Sequence, residues 1–270
     1  MSLRIISFNI WDLPLWFVKR RTTRMGKIGE YLASASADII CLQESFDVKH
    51  RKVIHDVLGD RYYIGNGHGK TRKIFGLKTF DMTGGLITYS RFPVISSRFI
   101  PFSRLLNVAF VEFLARKGFL ETILKTPEGP LRVINTHLHK ISVVGSSWIH
   151  ARQIQKIISF LKKEVKMPTV FAGDFNEDRM MERKWFGDVI QGAGFTDPEK
   201  NRGKAILPSY RRENPFVDMW PNRVKVSERC DYIFFKGFKK AEVASYAPVP
   251  KNPPLSDHDP VDLKIENAVR

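Results

Sequence analysis

Cysteine is scarce in this sequence, and long uncharged apolar runs are missing. The 270 residues include only two cysteines, Cys41 and Cys230, which are too few to staple a domain of this size. Each lies in or beside an apolar run, so we expect both to be small buried hydrophobic side chains. No stretch of about 18 apolar residues lacks a charge, so we expect no transmembrane helix. The first predicted strand starts at Leu3, which leaves no room for a signal peptide.

Repeats, low-complexity tracts and Gly/Ser linkers are also missing, and this even composition predicts a single domain over residues 1–270. Hydrophobic residues make up 43% of the chain, which is enough for a packed core and excludes a disordered protein. Lys and Arg number 44 against 28 Asp and Glu, so the formal charge is +16. That charge favours an anionic partner such as nucleic acid, an acidic membrane face or a phosphorylated substrate, although a merely solvated basic surface would explain it too.

Apolar periodicity predicts strands that alternate with a few helices. The predicted strands are Leu3–Phe8, Asp38–Leu42, Gly84–Ser90, Gly118–Lys125, Leu131–His137, Thr169–Ala172, Asp231–Phe235 and Val261–Ile265. The predicted helices are Arg24–Ala33, Phe46–Leu58, Trp148–Lys163 and Trp185–Ile190. This pattern indicates two sheets packed together with helices outside.

Side chains suited to acid–base or metal chemistry stand at six predicted strand ends. They are Asn9, Glu44, His137, Asp174 with Asn176, Asp231, and Asp257 with His258. A single strand-end Asn or Asp is usually a turn residue, but functional sites gather where several such loops meet. The oxygen donors of Glu44, Asp257 and Asn9 suit Mg²⁺. The sequence has no CxxC or HExxH motif and no GxxxxGK[ST] phosphate loop.

Seven motifs in order carry a family resemblance: FNIW, LQE, GGLITYS, NTHLH, GDFN, DYIFF and SDHDP, between Ser7 and Val261. The series resembles the endonuclease/exonuclease/phosphatase superfamily. The resemblance implies an α/β (α+β) fold of the deoxyribonuclease-like type, a four-layer sandwich of two central mixed β-sheets flanked by helices. It also implies a metal-dependent phosphoric diester hydrolase that uses Mg²⁺, with Mn²⁺ or Co²⁺ as candidate replacements.

Within the superfamily, the sequence is most similar to the neutral sphingomyelinases, which are phospholipases C. Asn9–Pro14 resembles the Trp-Gly-x-Pro segment that follows the metal-binding Asn of that group, and Ala115–Ile123 resembles its Lys-Gly strand. Asp12 stands where a Gly is usual, which leaves the local turn open and offers an extra carboxylate near the metal. The abasic-site endonucleases typically lack the Thr-His-Leu histidine found here at His137.

The resemblance implies an in-line attack of water on phosphorus by a set of five catalytic residues. His258 is the expected general base, and Asp231 is expected to hold its other ring nitrogen. Asp174 and Asn176 are expected to orient the water and a phosphate oxygen. His137 is expected to donate a hydrogen bond to the phosphoryl oxygens.

The same resemblance implies that Glu44 and Asn9 hold the metal and that Asp257 is a further carboxylate of the metal site. Lys117 is a secondary candidate for contact with the substrate phosphate, because it directly precedes the strand that leads towards His137. We expect structural or exposed roles for the other histidines, which are His50, His55, His68, His139 and His150. Asp259 is expected to be a turn residue, and Ser209, Tyr210 and Asn214 are pocket-lining candidates without an assigned role.

Two functions and one non-catalytic alternative remain open. For a sphingomyelinase-like enzyme we expect contact with a phospholipid membrane surface through the apolar segments Leu13–Val18 or Phe92–Leu114, which basic residues flank. For a nuclease or phosphoinositide phosphatase, the basic segments Lys70–Lys78 and Arg202–Arg212 would follow the phosphates. The third alternative is a binding protein on the same scaffold. We expect a soluble monomer with peripheral membrane contact and no obligate protein partner, and the compartment stays open.

Overall fold

The computed structural model describes residues 1–13, 15, 18–67, 71–74, 78–102, 116–140, 147–178, 184–199, 207–219 and 226–268. One sheet contains six strands, which are β1 (Leu3–Asn9), β2 (Ile39–Gln43), β3 (Tyr63–Gly65), β6 (Ile87–Ser90), β12 (Glu242–Pro248) and β13 (Val261–Glu266). Their order across this first sheet is β12-β13-β1-β2-β6-β3. β1 and β2 pair in parallel, while β1 and β13 pair antiparallel.

The second sheet repeats this mixed arrangement with five strands. They are β7 (Val94–Pro101), β8 (Gly118–Thr126), β9 (Gly129–His137), β10 (Thr169–Asp174) and β11 (Asp231–Lys236), in the order β11-β10-β9-β8-β7. β9 and β10 pair in parallel, and β10 and β11 pair antiparallel. A separate hairpin is formed by β4 (Thr71–Ile74) and β5 (Lys78–Asp81).

The α-helices in the described ranges are α1 (Arg21–Ala35), α2 (Val48–Leu58), α3 (Ser147–Lys163) and α4 (Lys184–Gly192). α1 and α2 cover the outer face of the first sheet, and α3 and α4 cover the outer face of the second. Successive side chains of a strand point to opposite faces, so each central strand contributes to two cores. Ile5 lies between the sheets and Ile6 lies under the helices. The expected four-layer α/β sandwich is thus confirmed.

A buried polar contact joins the two sheets just below the strand ends that carry the candidate site. Gln43 Nε2 of β2 donates to Asn135 Oδ1 of β9 at 2.8 Å. Asn135 Nδ2 in turn donates to the Leu42 and Ile87 carbonyl oxygens of the first sheet, each at 3.0 Å. These directional bonds fix the position of one sheet relative to the other, which an apolar contact alone would not do.

The sequence predicted the central strands and the four α-helices of the described ranges but missed β3, β4, β5, β7 and β12. Both cysteines are buried, as expected. No helix within the described ranges is long and apolar enough to cross a membrane. Residues 70 and 75–77 of the basic segment Lys70–Lys78 and residues 202–206 of the basic segment Arg202–Arg212 lie outside the described residues, as do residues 103–114 of Phe92–Leu114.

Candidate active site

Strand register brings the candidate residues of both sheets to the same end of the strands, which we call the catalytic edge. In the first sheet Asn9 is paired with Gln43, so Glu44 follows at the same level. In the second sheet Asp174 is paired with both His137 and Asp231. β13 starts opposite Ser7, and this places the segment before it, with Asp257 and His258, at the same edge.

The backbone turns sharply where these strands end. Glu44 and Asn176 have φ values of 55° and 52°, a left-handed conformation that costs non-glycine residues about 1–3 kcal/mol. Gly173 has φ 150°, and a Cβ there would lie 2.0 Å from the Thr136 carbonyl oxygen of β9. Only a glycine therefore lets β10 approach β9 closely enough to align Asp174 with His137.

His258 and Asp231 form a buried hydrogen-bonded pair. His258 Nδ1 donates to Asp231 Oδ2 at 2.7 Å, and Ser209 Oγ donates to the same oxygen at 2.7 Å. The other ring nitrogen, His258 Nε2, lies 3.8 Å from Asp174 Oδ2. Ligand atoms of Asp174, Asp231 and His258 all lie within 4.8 Å of one another. The pair therefore fixes the orientation of the imidazole and leaves Nε2 facing the carboxylate of Asp174.

The pKa values of this pair follow from burial and from the neighbouring charges. Burial would lower the pKa of His258, but the carboxylates of Asp231 and Asp174 outweigh it and raise that pKa well above 6.5. Burial raises the pKa of Asp231 to about 6, against the opposing effect of the His258 charge. In the absence of a cation, the surrounding carboxylates therefore favour the protonated imidazole.

Asp174 lies at the centre of the site and is well supplied with donors. Asn9 Nδ2 donates to Asp174 Oδ2 at 2.9 Å, and the Asn176 backbone N–H donates to Asp174 Oδ1 at 2.8 Å. His137 Nε2 lies 3.5 Å from Asp174 Oδ2. Burial raises the pKa of Asp174, but the charges of His258 and His137 outweigh it, so the pKa is lowered.

Glu44 has the opposite environment. Its Oε1 lies 3.9 Å from His137 Nε2, and its Oε2 is buried without a hydrogen-bond partner. Burial, followed by the negative charge of Asp257, raises the pKa of Glu44 to about 8. Asp257 is buried too, and the Ser256 hydroxyl lies 3.2 Å from its Oδ1. A buried carboxylate with an unpartnered oxygen beside a second carboxylate is an arrangement that a divalent cation would complete.

Lys117 also lies at this edge. Its buried ammonium donates to the Leu138 carbonyl oxygen, to which Asn176 Nδ2 donates as well at 3.0 Å. The positive charge of Lys117 contributes to the low pKa of Asp174. The structure thus places Lys117 beside the catalytic candidates, while its contact with the substrate phosphate stays a prediction.

Asp12 does not join the carboxylates of the site. It accepts hydrogen bonds from Arg21 Nε at 2.8 Å and from the backbone N–H of Asp47 at 3.2 Å, and His50 Nδ1 lies 2.7 Å from Asp12 Oδ1. Because α1 and α2 supply Arg21 and His50, Asp12 ties the loop after β1 to these two helices. Asp12, which the sequence offered as an extra carboxylate near the metal, therefore binds residues of α1 and α2 instead.

Asp259 is not a simple turn residue either. The Arg211 guanidinium holds its buried carboxylate with two nitrogens, Nε and Nη2. His139 and His150 are buried, and His150 Nε2 donates to the Phe175 carbonyl oxygen at 2.5 Å. His68 lies outside the described residues.

The described parts of the two expected membrane segments are buried only in part, and Ile95 of the second segment is 57% exposed. Leu13 and Val18 pack in a cluster with Trp11. Phe102 belongs to the core under α3 and α4. Pro14, Trp16, Phe17 and residues 103–114 lie outside the described residues. The buried residues Leu13, Val18 and Phe102 thus give no support to membrane contact through these segments.

Arg24 is a supporting residue to which the sequence assigned no role. Its buried guanidinium donates to the carbonyl oxygens of Ile10 and Leu255 at 2.9 Å and of Trp11 at 2.7 Å. Burial lowers its pKa to about 10. Arg24 thus joins the loop after Asn9 to the segment that carries Asp257. Three carbonyl acceptors leave no trace in a sequence pattern, so only the structure could reveal this role.

A sequence model of the Endonuclease/Exonuclease/phosphatase family matches residues 6–258. The chain is also 29% identical over 187 residues to an inositol phosphosphingolipids phospholipase C of Schizosaccharomyces pombe (strain 972). That match covers 65% of this chain but 41% of the relative, so the chain spans less than half of the relative's length.

Solved structures share the fold over nearly the whole chain. Sphingomyelinase C from Streptomyces griseocarneus superposes with a TM-score of 0.73 at 18% identity, covering 98% of this chain and 99% of that one. Beta toxin from Staphylococcus aureus (F277A, P278A), solved with bound magnesium ions, gives a TM-score of 0.69 at 19% identity over 97% and 99% of the two chains. At these identities the likeness establishes the fold.

Proposed function

Because the chain belongs to the Endonuclease/Exonuclease/phosphatase family, we propose that it is a metal-dependent phosphodiester hydrolase that removes the headgroup of a phosphosphingolipid. One observation carries the proposal. Two complementary groups meet at the catalytic edge. One is the pair of His258 and Asp231 beside Asp174. The other is the carboxylate of Glu44 beside Asp257. The first group suits proton transfer, and the second suits a cation.

Glu44, Asp257 and Asn9 are the residues that would hold a divalent cation. The donor set is oxygen-rich, which favours Mg²⁺ over Zn²⁺. The buried, unpartnered Oε2 of Glu44 fits such an ion. When bound, Mg²⁺ supplies positive charge that polarises a phosphoryl oxygen and offsets the carboxylates of the site. Mn²⁺ and Co²⁺ are candidate substitutes with the same oxygen donors.

His258 accepts the proton of the attacking water at Nε2. Its Nδ1 is bound to Asp231 at 2.7 Å, so Nε2 is the nitrogen that faces the site. Asp231 stabilises the imidazolium that forms, and Ser209 holds Asp231 in place through a hydrogen bond of 2.7 Å. For His258 to act as a base it must first lose the proton that the surrounding carboxylates favour.

Asp174, Asn176 and His137 orient water and substrate. Asp174 stays ionised because its pKa is lowered, so one of its oxygens can accept a hydrogen bond from water. His137 Nε2 lies between Glu44 and Asp174 at 3.9 Å and 3.5 Å, where it can donate to a phosphoryl oxygen. A donor of this kind typically contributes about 10²–10³ in rate. Lys117 adds positive charge on the same side.

The phosphosphingolipid substrate is supported by the fission yeast relative, whose name describes a phospholipase C of inositol phosphosphingolipids. Membrane contact is supported by two exposed tryptophans at the catalytic edge. Trp148 and Trp185, at the starts of α3 and α4, are 50% and 42% exposed. His150 connects both helix starts to this edge, since it donates to the Phe175 carbonyl and its ring lies 6.3 Å from that of Phe186. Exposed tryptophans are typical of membrane interfaces.

A nuclease is the second candidate, because a formal charge of +16 suits a nucleic-acid phosphate backbone as well as an acidic membrane. The catalytic groups do not discriminate between the two, since both substrates are phosphodiesters. A phosphoinositide phosphatase shares the same chemistry.

The test compares headgroup release from vesicles of sphingomyelin or of an inositol phosphosphingolipid with the nicking of plasmid DNA. Each assay is run with Mg²⁺ and with EDTA, and the His258→Ala variant serves as the blank. We expect lipid turnover that requires Mg²⁺. DNA cleavage without lipid turnover would overturn the lipid substrate, and lipid turnover in EDTA would overturn the metal dependence.

A further inference from the structure

A large cavity lies at the end of the second sheet opposite to the catalytic edge. Its volume is about 870 Å³, within the usual range for small-molecule sites. Its lining includes Arg132 near the start of β9, Thr169 at the start of β10 and Lys236 at the end of β11. The catalytic residues stand at the other ends of these strands, roughly 16 Å away at about 3.3 Å per residue.

Positive charge surrounds this cavity. Its cationic lining residues are Arg132, Lys162, Lys166, Lys236 and Lys239, and the lining that the structure describes includes no carboxylate. Arg132 is neutralised behind the wall by Glu121, whose Oε1 accepts from Arg132 Nε at 2.7 Å. Lys236 donates to the uncharged Ala193 carbonyl at 3.1 Å. Because the described lining offers these lysines no carboxylate, an anion bound in the cavity would meet a cationic surface.

The environment of the Lys236 ammonium adds to the evidence from the lining charges. Burial, and then the positive charge of Arg132, lowers the pKa of Lys236. Its Nζ also lies 4.4 Å from the centre of the Phe195 ring. The contact with the Phe195 ring favours the ammonium, whereas burial opposes its charge, and a bound anion would offset this cost of burial.

The rest of the wall is apolar. Ile158 and Leu161 of α3 line it together with Met167, Pro168 and Ala193. An inorganic anion would leave this surface exposed to water, whereas an acyl chain would cover it. We propose that the cavity is a second, non-catalytic binding site for an anionic amphiphile, a ligand with a phosphate head and an apolar chain.

The described lining contains neither a histidine nor a carboxylate, so the ligand is bound and not converted. The proposal stands whether the substrate of the catalytic edge is a lipid or a nucleic acid. It also gives part of the excess positive charge a definite location on the side of the molecule away from the catalytic edge.

The test is a calorimetric titration of the full chain with dihexanoyl phosphatidic acid, below its micelle concentration and in EDTA. The test variant reverses two lining charges, Lys162→Glu with Lys239→Glu. The matched control reverses their exposed chain neighbours, Lys163→Glu with Lys240→Glu, which do not line the cavity but change the net charge equally. We expect binding to weaken about tenfold or more in the test variant and to stay unchanged in the control.

Two further titrations examine the ligand chemistry. Dihexanoyl phosphatidylcholine has the same chains and no net charge, and inorganic phosphate has the charge and no chains. We expect both to bind at least about tenfold more weakly than the phosphatidic acid. The proposal fails if wild type does not bind the acid, if both double variants behave alike, or if either probe binds as tightly as the acid.

Discussion

The two sheets contribute unlike halves to the catalytic edge. The second-sheet half consists of His137, Asp174 and Asp231 and is completed by His258 from the segment before β13. It is neutralised within the protein, since each carboxylate has a histidine within reach and a hydrogen-bond donor. The first-sheet half contains Glu44, whose Oε2 is buried without a partner and whose pKa is raised to about 8. Two carboxylates at the same edge thus have pKa values shifted in opposite directions.

The difference indicates what each half does. A carboxylate with a lowered pKa is ready to orient water at neutral pH, as we propose for Asp174. Glu44 differs because burial and the charge of Asp257 raise its pKa while its Oε2 has no hydrogen-bond partner, an environment that suits a cation. We therefore propose that the second half is complete as folded and that a metal ion completes the first half.

The largest expected effect comes from removing the proposed base of the complete half. His258→Ala should lower kcat about 10²–10⁴-fold, the usual contribution of a general base. Steady-state turnover of the lipid substrate measures it. His55→Ala is the control, because His55 stacks on Tyr89, away from the catalytic edge. Full activity of His258→Ala would remove the second half from the mechanism.

The next effect concerns the free energy of unfolding of the metal-free protein. Neutralising one carboxylate of each half should change this free energy in opposite directions. Glu44→Gln removes an unpaired buried charge and should raise the free energy of unfolding at pH 8 by about 1–3 kcal/mol. Asp174→Asn removes the acceptor of charged hydrogen bonds and should lower it by about 1.5–3 kcal/mol. Urea unfolding in EDTA measures both variants.

The pH dependence of these two effects has a definite sign. The pKa of Glu44 rises from 4.5 to about 8 on folding, so the gain in Glu44→Gln should grow above pH 4.5 and level off above pH 8. The pKa of Asp174 is lowered from 3.8, so the loss in Asp174→Asn is full above pH 3.8 and disappears in stronger acid. Changes of the same sign at pH 8 would contradict the contrast between the halves.

A smaller effect is expected from the residue that positions Asp231. Ser209→Ala removes a hydrogen bond of 2.7 Å to Asp231 Oδ2 and should lower kcat about fivefold with KM unchanged. The control is Ser227→Ala, which removes a bond to the exposed Arg212 backbone. A change in KM alone would show that Ser209 contacts substrate and does not position Asp231.

The central strands could be predicted because they are buried on both faces and form continuous apolar runs, as in Thr169–Ala172. β7 and β12 were missed because they are edge strands, whose exposed residues break the apolar pattern. The site candidates could be placed at one edge because parallel strands end together. The roles of Arg24 and Asp12 depend on contacts with distant carbonyls and helices, which sequence spacing does not encode.

The most direct test of the account is a calorimetric titration of the chelated protein with Mg²⁺ at pH 7, in two buffers of different ionisation enthalpy. Because the pKa of Glu44 is about 8 without metal, Mg²⁺ must displace a proton. We predict proton release on binding to wild type, and binding weakened by about 10–100-fold or more in Glu44→Gln. Binding to wild type without proton release, or equal affinity in Glu44→Gln, would contradict the claim that the first-sheet half is completed by a metal ion.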